Sequence, residues 1–337
     1  MRRKIKKKKS RLPIFIILLM MVGIASFFYQ SNIIPDYQHL FQKEEGDKIS
    51  LQAVPGKADD SITPLPASSL ELNLTDSVTP DKLNSPNAIL IRLKDQTTLM
   101  QKNSDDKIYP ASLTKMVTTI VVIEYLSDLK EEIKVTNSTF QGLYEAGASM
   151  AGFQPGERAA AIDLLYGVML PSGAECCIGL AEHIAGSEQA FVSLMNEKAS
   201  ELGMKNTHFE NTTGLHNENH YTTVNDLAIL LSYALQNNTF REIFTSSRHS
   251  TASTNKHPGG MTFYSTMFKG LSSQNIMDGE ILGGKTGYTE EAGLCLASLA
   301  RVGNEEYILV SAGANGDHYS EQYNITDALT VYNSMGE

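Results

Sequence analysis

The chain has 337 residues, 42% of them hydrophobic, with 28 Lys and Arg against 38 Asp and Glu, a formal net charge of −10. Eight of the basic residues fall within the first twelve positions, so residues 13–337 carry 20 basic and 38 acidic side chains. That balance excludes a nucleic-acid surface, which needs clustered Lys and Arg to neutralise phosphates. The apolar content excludes a wholly disordered chain, and three cysteines without a C-x-x-C exclude a disulfide framework.

In chain order, residues 1–12 form a basic segment, followed by Pro13–Tyr29, seventeen residues without a charge. As a helix at about 1.5 Å per residue that run covers roughly 25 Å, near the lower limit for crossing a bilayer. A transmembrane anchor is expected, with a signal peptide cleaved near Gly23-Ile24-Ala25 as the alternative; the unbroken Phe27-Phe28-Tyr29 favours the anchor. Either way the positive charges stay cytoplasmic and the chain after residue 30 is exported, so the membrane is an expected partner. Residues 30–69, with mixed charge and scattered proline, read as a flexible linker. Residues 70–337 are enough for one large domain or two intimate subdomains.

Within that domain, Ala88–Leu93 and Leu99–Lys102 are predicted as strands around an Asp95 turn. Ser112–Leu126 is apolar on most sides and predicts a helix buried nearly all round. Further helices are expected over 160–170, 175–185, 190–202 and 224–235. Gly293–Arg301 and Glu306–Ala312 flank Gly303-Asn304, a hairpin signal, and a last helix is expected over 320–334. Strands at both ends with helices between them predict an α+β fold: one antiparallel sheet built from both chain ends, and a helical insertion.

The chemistry concentrates in three places. Ser112-Leu113-Thr114-Lys115 is an S-x-x-K pattern, in which one helical turn brings hydroxyl and amine to one face, so that the lysine can take the serine proton. The amine must then be neutral, which burial and a nearby cation favour. Ser104, Ser127 and Ser253 also head S-x-x-K patterns, but only Ser112 opens an apolar helix. Lys285-Thr286-Gly287-Tyr288 precedes the C-terminal hairpin; its donors suit a carboxylate, and its glycine lets a substrate backbone approach a strand edge. Ser172, in Pro171-Ser172-Gly173-Ala174, sits between two predicted helices, where a plain helix cap is the simpler role. His216 and His220 have metal-like spacing, but they lie in a loop and lack the H-E-x-x-H order.

S-x-x-K, a serine sixty residues on, then K-T-G is an order that resembles the serine penicillin-recognising enzymes. The blocks Tyr109–Met116, Leu164–Gly173, Phe191–Ala199, Leu202–Phe209, Thr213–Leu215, His220–Thr223 and Gly284–Thr289 resemble the D-alanyl-D-alanine carboxypeptidases, also called low-molecular-mass penicillin-binding proteins. The resemblance covers roughly residues 70–335 and implies the transpeptidase fold shared with serine β-lactamases. It implies Ser112 as the acylated nucleophile, Lys115 as its base and Ser172 as a proton relay. Lys285 would hold positive potential over the site, Thr286 and Gly287 would line the substrate site, and the N–H groups of Ser112 and Tyr288 would form the oxyanion hole. The implied substrate is the peptidoglycan stem peptide, the implied covalent inhibitors are β-lactams, and neither metal nor cofactor is required.

Three departures bear on that implication. The family's second motif is usually Ser-x-Asn, and Ala174 stands at the Asn position, removing an amide expected to bind a substrate carbonyl and order the lysine. Many relatives carry a C-terminal β domain and an anchor helix, whereas this sequence ends at Glu337, so the N-terminal run is expected to take over anchoring. Cys176 and Cys177 read as small buried hydrophobes. A serine β-lactamase, or a catalytically weakened wall-binding module, are the competing functions.

Overall fold

The computed structural model describes residues 79–335; the segments expected at 1–12, 13–29 and 30–69 lie outside the described residues. Strands β1 (Asn87–Arg92) and β2 (Thr97–Lys102) open the domain. Helix α1 (Lys115–Tyr125) and the small hairpin β3 (Glu132–Lys134) with β4 (Arg158–Ala160) come next. Five helices follow: α2 (Ala161–Met169), α3 (Ala174–Ala185), α4 (Glu188–Glu201), α5 (Val224–Ala234) and α6 (Asn238–Thr245). A second small hairpin, β5 (Arg248–Ser250) with β6 (Thr262–Tyr264), leads to the short helix α7 (Thr266–Gly270). Strands β7 (Asn275–Ile276), β8 (Gly279–Thr289), β9 (Gly293–Val302) and β10 (Glu305–Ala314) precede α8 (Tyr323–Ser334).

The main sheet has six antiparallel strands in the order β2-β1-β10-β9-β8-β7, so both ends of the domain build it and the helices are inserted between them. Strands β1, β9 and β10 are apolar on both faces because both faces are covered. With side chains alternating sides along a strand, Ile89, Ile91, Cys295, Ala297 and Leu299 join the core of the helical insertion. Ala88, Leu90, Leu296 and Ala300 join a smaller core under α8, with Ile325, Ala328, Val331 and Tyr332. The α8 carboxylate of Asp327 accepts from the Asn84 and Ser85 amides at 2.9 and 2.8 Å, tying the last helix to the start of the domain.

Helix α1 is buried almost all round, as its pattern predicts: Met116, Val117, Ile120 and Val121 are at most 1% exposed. One detail differs. The first turn, Ala111–Thr114, is a 3-10 helix and the α-helix begins only at Lys115. The tighter turn follows from Ala111, which has a left-handed φ of +46°, and from the Thr114 hydroxyl, which donates to the Ala111 carbonyl at 2.8 Å.

Candidate active site

The tight turn carries Ser112 and leads into α1, whose first residue Lys115 lies on the same side and donates from Nζ to Ser112 Oγ at 3.1 Å. Lys115 is 2% exposed and also donates to the Thr213 carbonyl. That carbonyl is in reach because Gly214 presses on the turn. Gly214 has a φ of +81°, and a β-carbon there would lie 1.8 Å from the Ala111 carbonyl oxygen, so only glycine fits. The turn is buttressed from below by His220, 2% exposed, whose Nδ1 accepts from the Glu210 amide at 3.0 Å. Nε2 of the same ring therefore donates to Thr114 Oγ1 at 2.7 Å, and burial pushes the imidazole pKa down to about 3.

Ser172 comes from the junction of α2 and α3, where it holds a left-handed φ of +66°. Such a conformation costs a non-glycine residue roughly 1–2 kcal/mol. It aims the hydroxyl at Ser112 Oγ, 3.0 Å away. Lys285, 1% exposed on the central stretch of β8, donates to Ser172 Oγ at 3.0 Å and to the Thr286 carbonyl at 2.7 Å. The result is a continuous chain of amine, hydroxyl, hydroxyl and amine: Lys115, Ser112, Ser172, Lys285. Both amines are pushed below the ordinary lysine range by burial, and Lys285 further by the positive charge of Lys115. Two ammonium groups in one dry site repel, so loss of one proton is favoured.

β8 supplies the opposite wall. A β-carbon at Gly287 would lie 3.1 Å from the Ser112 amide nitrogen, so the bare glycine lets the strand close on the nucleophile. Thr286 Oγ1 pairs with Thr266 Oγ1 at 2.6 Å, and the Tyr288 ring meets His318 edge to face at 4.8 Å. Between these walls lies a cleft of about 360 Å³, lined by Ser112, Ser172, Thr286, Gly287 and Tyr288 among others. Among the described residues no Asp or Glu lines it, although residues 79–335 hold 29 acids against 17 bases.

All seven residues singled out in the sequence thus converge: Ser112, Lys115, Ser172 and Lys285 through direct hydrogen bonds, Thr286, Gly287 and Tyr288 along the strand that faces them. His216 and His220 do not act together; His216 meets the Tyr109 ring and Glu291 while His220 holds the turn. Cys176 and Cys177 are buried on α3, as read. Ala174 is 1% exposed and borders a side recess of about 50 Å³ with Ser112, Lys115 and Thr213. The sequence did not point to the Thr213 carbonyl or the Thr266 hydroxyl as site groups. A backbone acceptor has no residue signature, and Thr266, which lines the cleft beside Thr286, sits on a short helix outside the three motifs.

A model of the D-alanyl-D-alanine carboxypeptidase family matches residues 74–316. The chain belongs to that family. It is 34% identical over 230 residues to D-alanyl-D-alanine carboxypeptidase DacF of Bacillus subtilis, covering 68% of this chain and 57% of that relative. With DacC of Escherichia coli the identity is 31% over 252 residues, covering 72% and 60%. The chain therefore spans somewhat under two thirds of the length of these relatives. The Streptomyces K15 DD-transpeptidase structure superposes with a TM-score of 0.67 at 26% identity, covering 76% of this chain and 98% of that one. A D-alanyl-D-alanine carboxypeptidase from Mycobacterium tuberculosis shares the fold, with a TM-score of 0.66 at 23% identity.

Proposed function

We propose that the protein is a serine-type D-Ala-D-Ala carboxypeptidase that removes the terminal D-alanine from peptidoglycan stem peptides. The observation that carries the reading is the Ser112 hydroxyl held between Lys115 and Ser172, with Lys285 behind Ser172, in a cleft free of acids. An acid-free cleft in an acidic domain suits a ligand ending in a carboxylate. Thr286 would donate to that carboxylate, and the arriving negative charge would favour a protonated Lys285.

In this mechanism Ser112 Oγ attacks the carbonyl carbon of the penultimate D-alanine while neutral Lys115 takes the hydroxyl proton. The oxyanion receives the N–H groups of Ser112 and Tyr288. Collapse breaks the C–N bond; the departing amine takes a proton from Ser172, which is replenished by the proton Lys115 took, so that Lys115 is neutral again and Lys285 keeps its charge. Water then attacks the Ser112 ester, Lys115 takes its proton, and the shortened peptide leaves as Ser112 regains its hydrogen. β-Lactams would acylate Ser112 by the same first step. With no carboxylate among the described residues lining the cleft to activate water, their acyl-enzyme should be long-lived, which sets this reading apart from a β-lactamase. The uncharged run Pro13–Tyr29 supports a further element of the proposal, a membrane tether with the catalytic domain outside.

The test is labelling by a fluorescent penicillin together with D-alanine release from a diacyl-D-Ala-D-Ala peptide. Both are expected in the wild type and absent in Ser112→Ala. Labelling without release would leave a penicillin-binding module and remove the carboxypeptidase.

A further inference from the structure

The wall of the cleft facing β8 lacks the side-chain donor that a Ser-x-Asn motif would supply, because residue 174 ends in a methyl group. Beside that methyl lies Ser149. It is exposed, and it lines both the main cleft and the recess at Ala174. Its main-chain carbonyl accepts from the Ala174 amide at 2.8 Å. Among the described residues its hydroxyl has no partner, so a donor stands free at the cleft wall next to the missing amide.

Three consecutive residues hold this segment in place. Gly173 admits it closely: a β-carbon there would lie 2.6 Å from Ala151 Cβ and 2.9 Å from the Ala151 amide. Ala174 clamps Ser149 as described. Glu175, with no exposure at all, turns Oε1 onto the amides of Ala151, Gly152 and Phe153 at 2.7, 2.8 and 3.3 Å. Oε2 of Glu175 has no partner among the described residues. Burying a carboxylate is costly, and the whole of its bonding here goes to the loop that carries Ser149. On the other side of Ser149 the Ala148 amide donates to the Leu143 carbonyl at 2.9 Å.

We propose that Ser149 is a substrate-binding residue that stands in for the amide missing at 174, its hydroxyl donating to the peptide carbonyl on the N-terminal side of the scissile D-Ala-D-Ala unit. Glu175 is the positioning residue that fixes the loop. The proposal rests on the carboxypeptidase reading and deepens it. It also explains how Ala174 is compatible with a complete set of catalytic groups.

The experiment compares acylation of the full chain by benzylpenicillin, whose acylamino arm carries the equivalent carbonyl, with acylation by 6-aminopenicillanic acid, which lacks it. Ser149→Ala should lose about five- to ten-fold in acylation rate with benzylpenicillin, the effect of one hydrogen bond, and less than two-fold with 6-aminopenicillanic acid. Adding Ala174→Asn to Ser149→Ala should restore the benzylpenicillin rate. Equal losses with both compounds, no loss with either, or no restoration by the asparagine would overturn the assignment. A wild-type chain acylated by neither compound would instead overturn the acyl-transfer reading, and this proposal with it.

Discussion

Burial lowers the pKa of Lys115 and of His220, and each shift leaves a measurable trace. Lys115 can accept the Ser112 proton only when neutral, and burial lowers its pKa from 10.5. For a base, a lowered pKa means the neutral form appears at lower pH. The second-order rate of penicillin acylation should therefore climb with pH and level off below the range in which free lysine titrates. A limb centred on 10.5 would show that Lys115 is not the base. His220 behaves similarly but acts on stability. Its pKa falls from 6.5 to about 3 on folding, so the folded state refuses a proton that the unfolded chain accepts. The stability this gives is complete above pH 6.5 and is lost as pH falls towards 3. Between pH 6.5 and 5 urea unfolding should lose about 1 kcal/mol per pH unit relative to His220→Gln. Parallel pH curves for the two proteins would refute the neutral buttress.

The elements matter to the site chiefly where a loop touches the turn before α1. Gly214 is the sharpest case: alanine there meets both a left-handed φ and the Ala111 carbonyl oxygen at 1.8 Å. Gly214→Ala should cost more than about 2 kcal/mol in urea unfolding and lower fluorescent-penicillin labelling at least ten-fold, since Thr213 and the turn move together. Wild-type labelling in that variant would mean that the loop is not what sets Lys115. This loop also marks where sequence reading stops. Strands β1, β9 and β10 and helices α1 to α5 were legible because long apolar patterns declare themselves, and α8 because it closes the chain after a clear hairpin. Helix α6, eight residues long, and the three-residue strands β5 and β6 were not, since such short pieces hold no full period. Ser112, Lys115 and Lys285 were legible as chemistry. The left-handed backbone at Ala111 and Ser172 was not, because neither residue is a type that announces positive φ. Nor could spacing reveal that Ser149, twenty-five residues before Ala174, shares its recess.

At the scale of the whole domain, charge and cleft pull in opposite directions on an anionic ligand. Residues 79–335 carry 29 acidic and 17 basic residues, while the cleft is lined by Lys269 and no acid and has Lys285 beneath it. Far from the surface the ligand meets only the total. Twelve negative charges seen through water from about 25 Å repel a monoanion by about 1 kcal/mol at 10 mM salt, where the Debye length is roughly 30 Å. At 150 mM the screening length shrinks to about 8 Å and that term almost vanishes. Inside the cleft the nearest charges are lysines at short range, which salt screens far less. Added salt should therefore remove the long-range penalty and leave the local attraction. The expected result is that acylation by an anionic penicillin accelerates about three- to five-fold between 10 and 150 mM salt. A zwitterionic aminopenicillin, with no net charge, should change little over the same range. Acylation by the anion that slows with salt would mean that the field of the cleft extends beyond that of the domain, and that the ligand is steered by its lysines from the start.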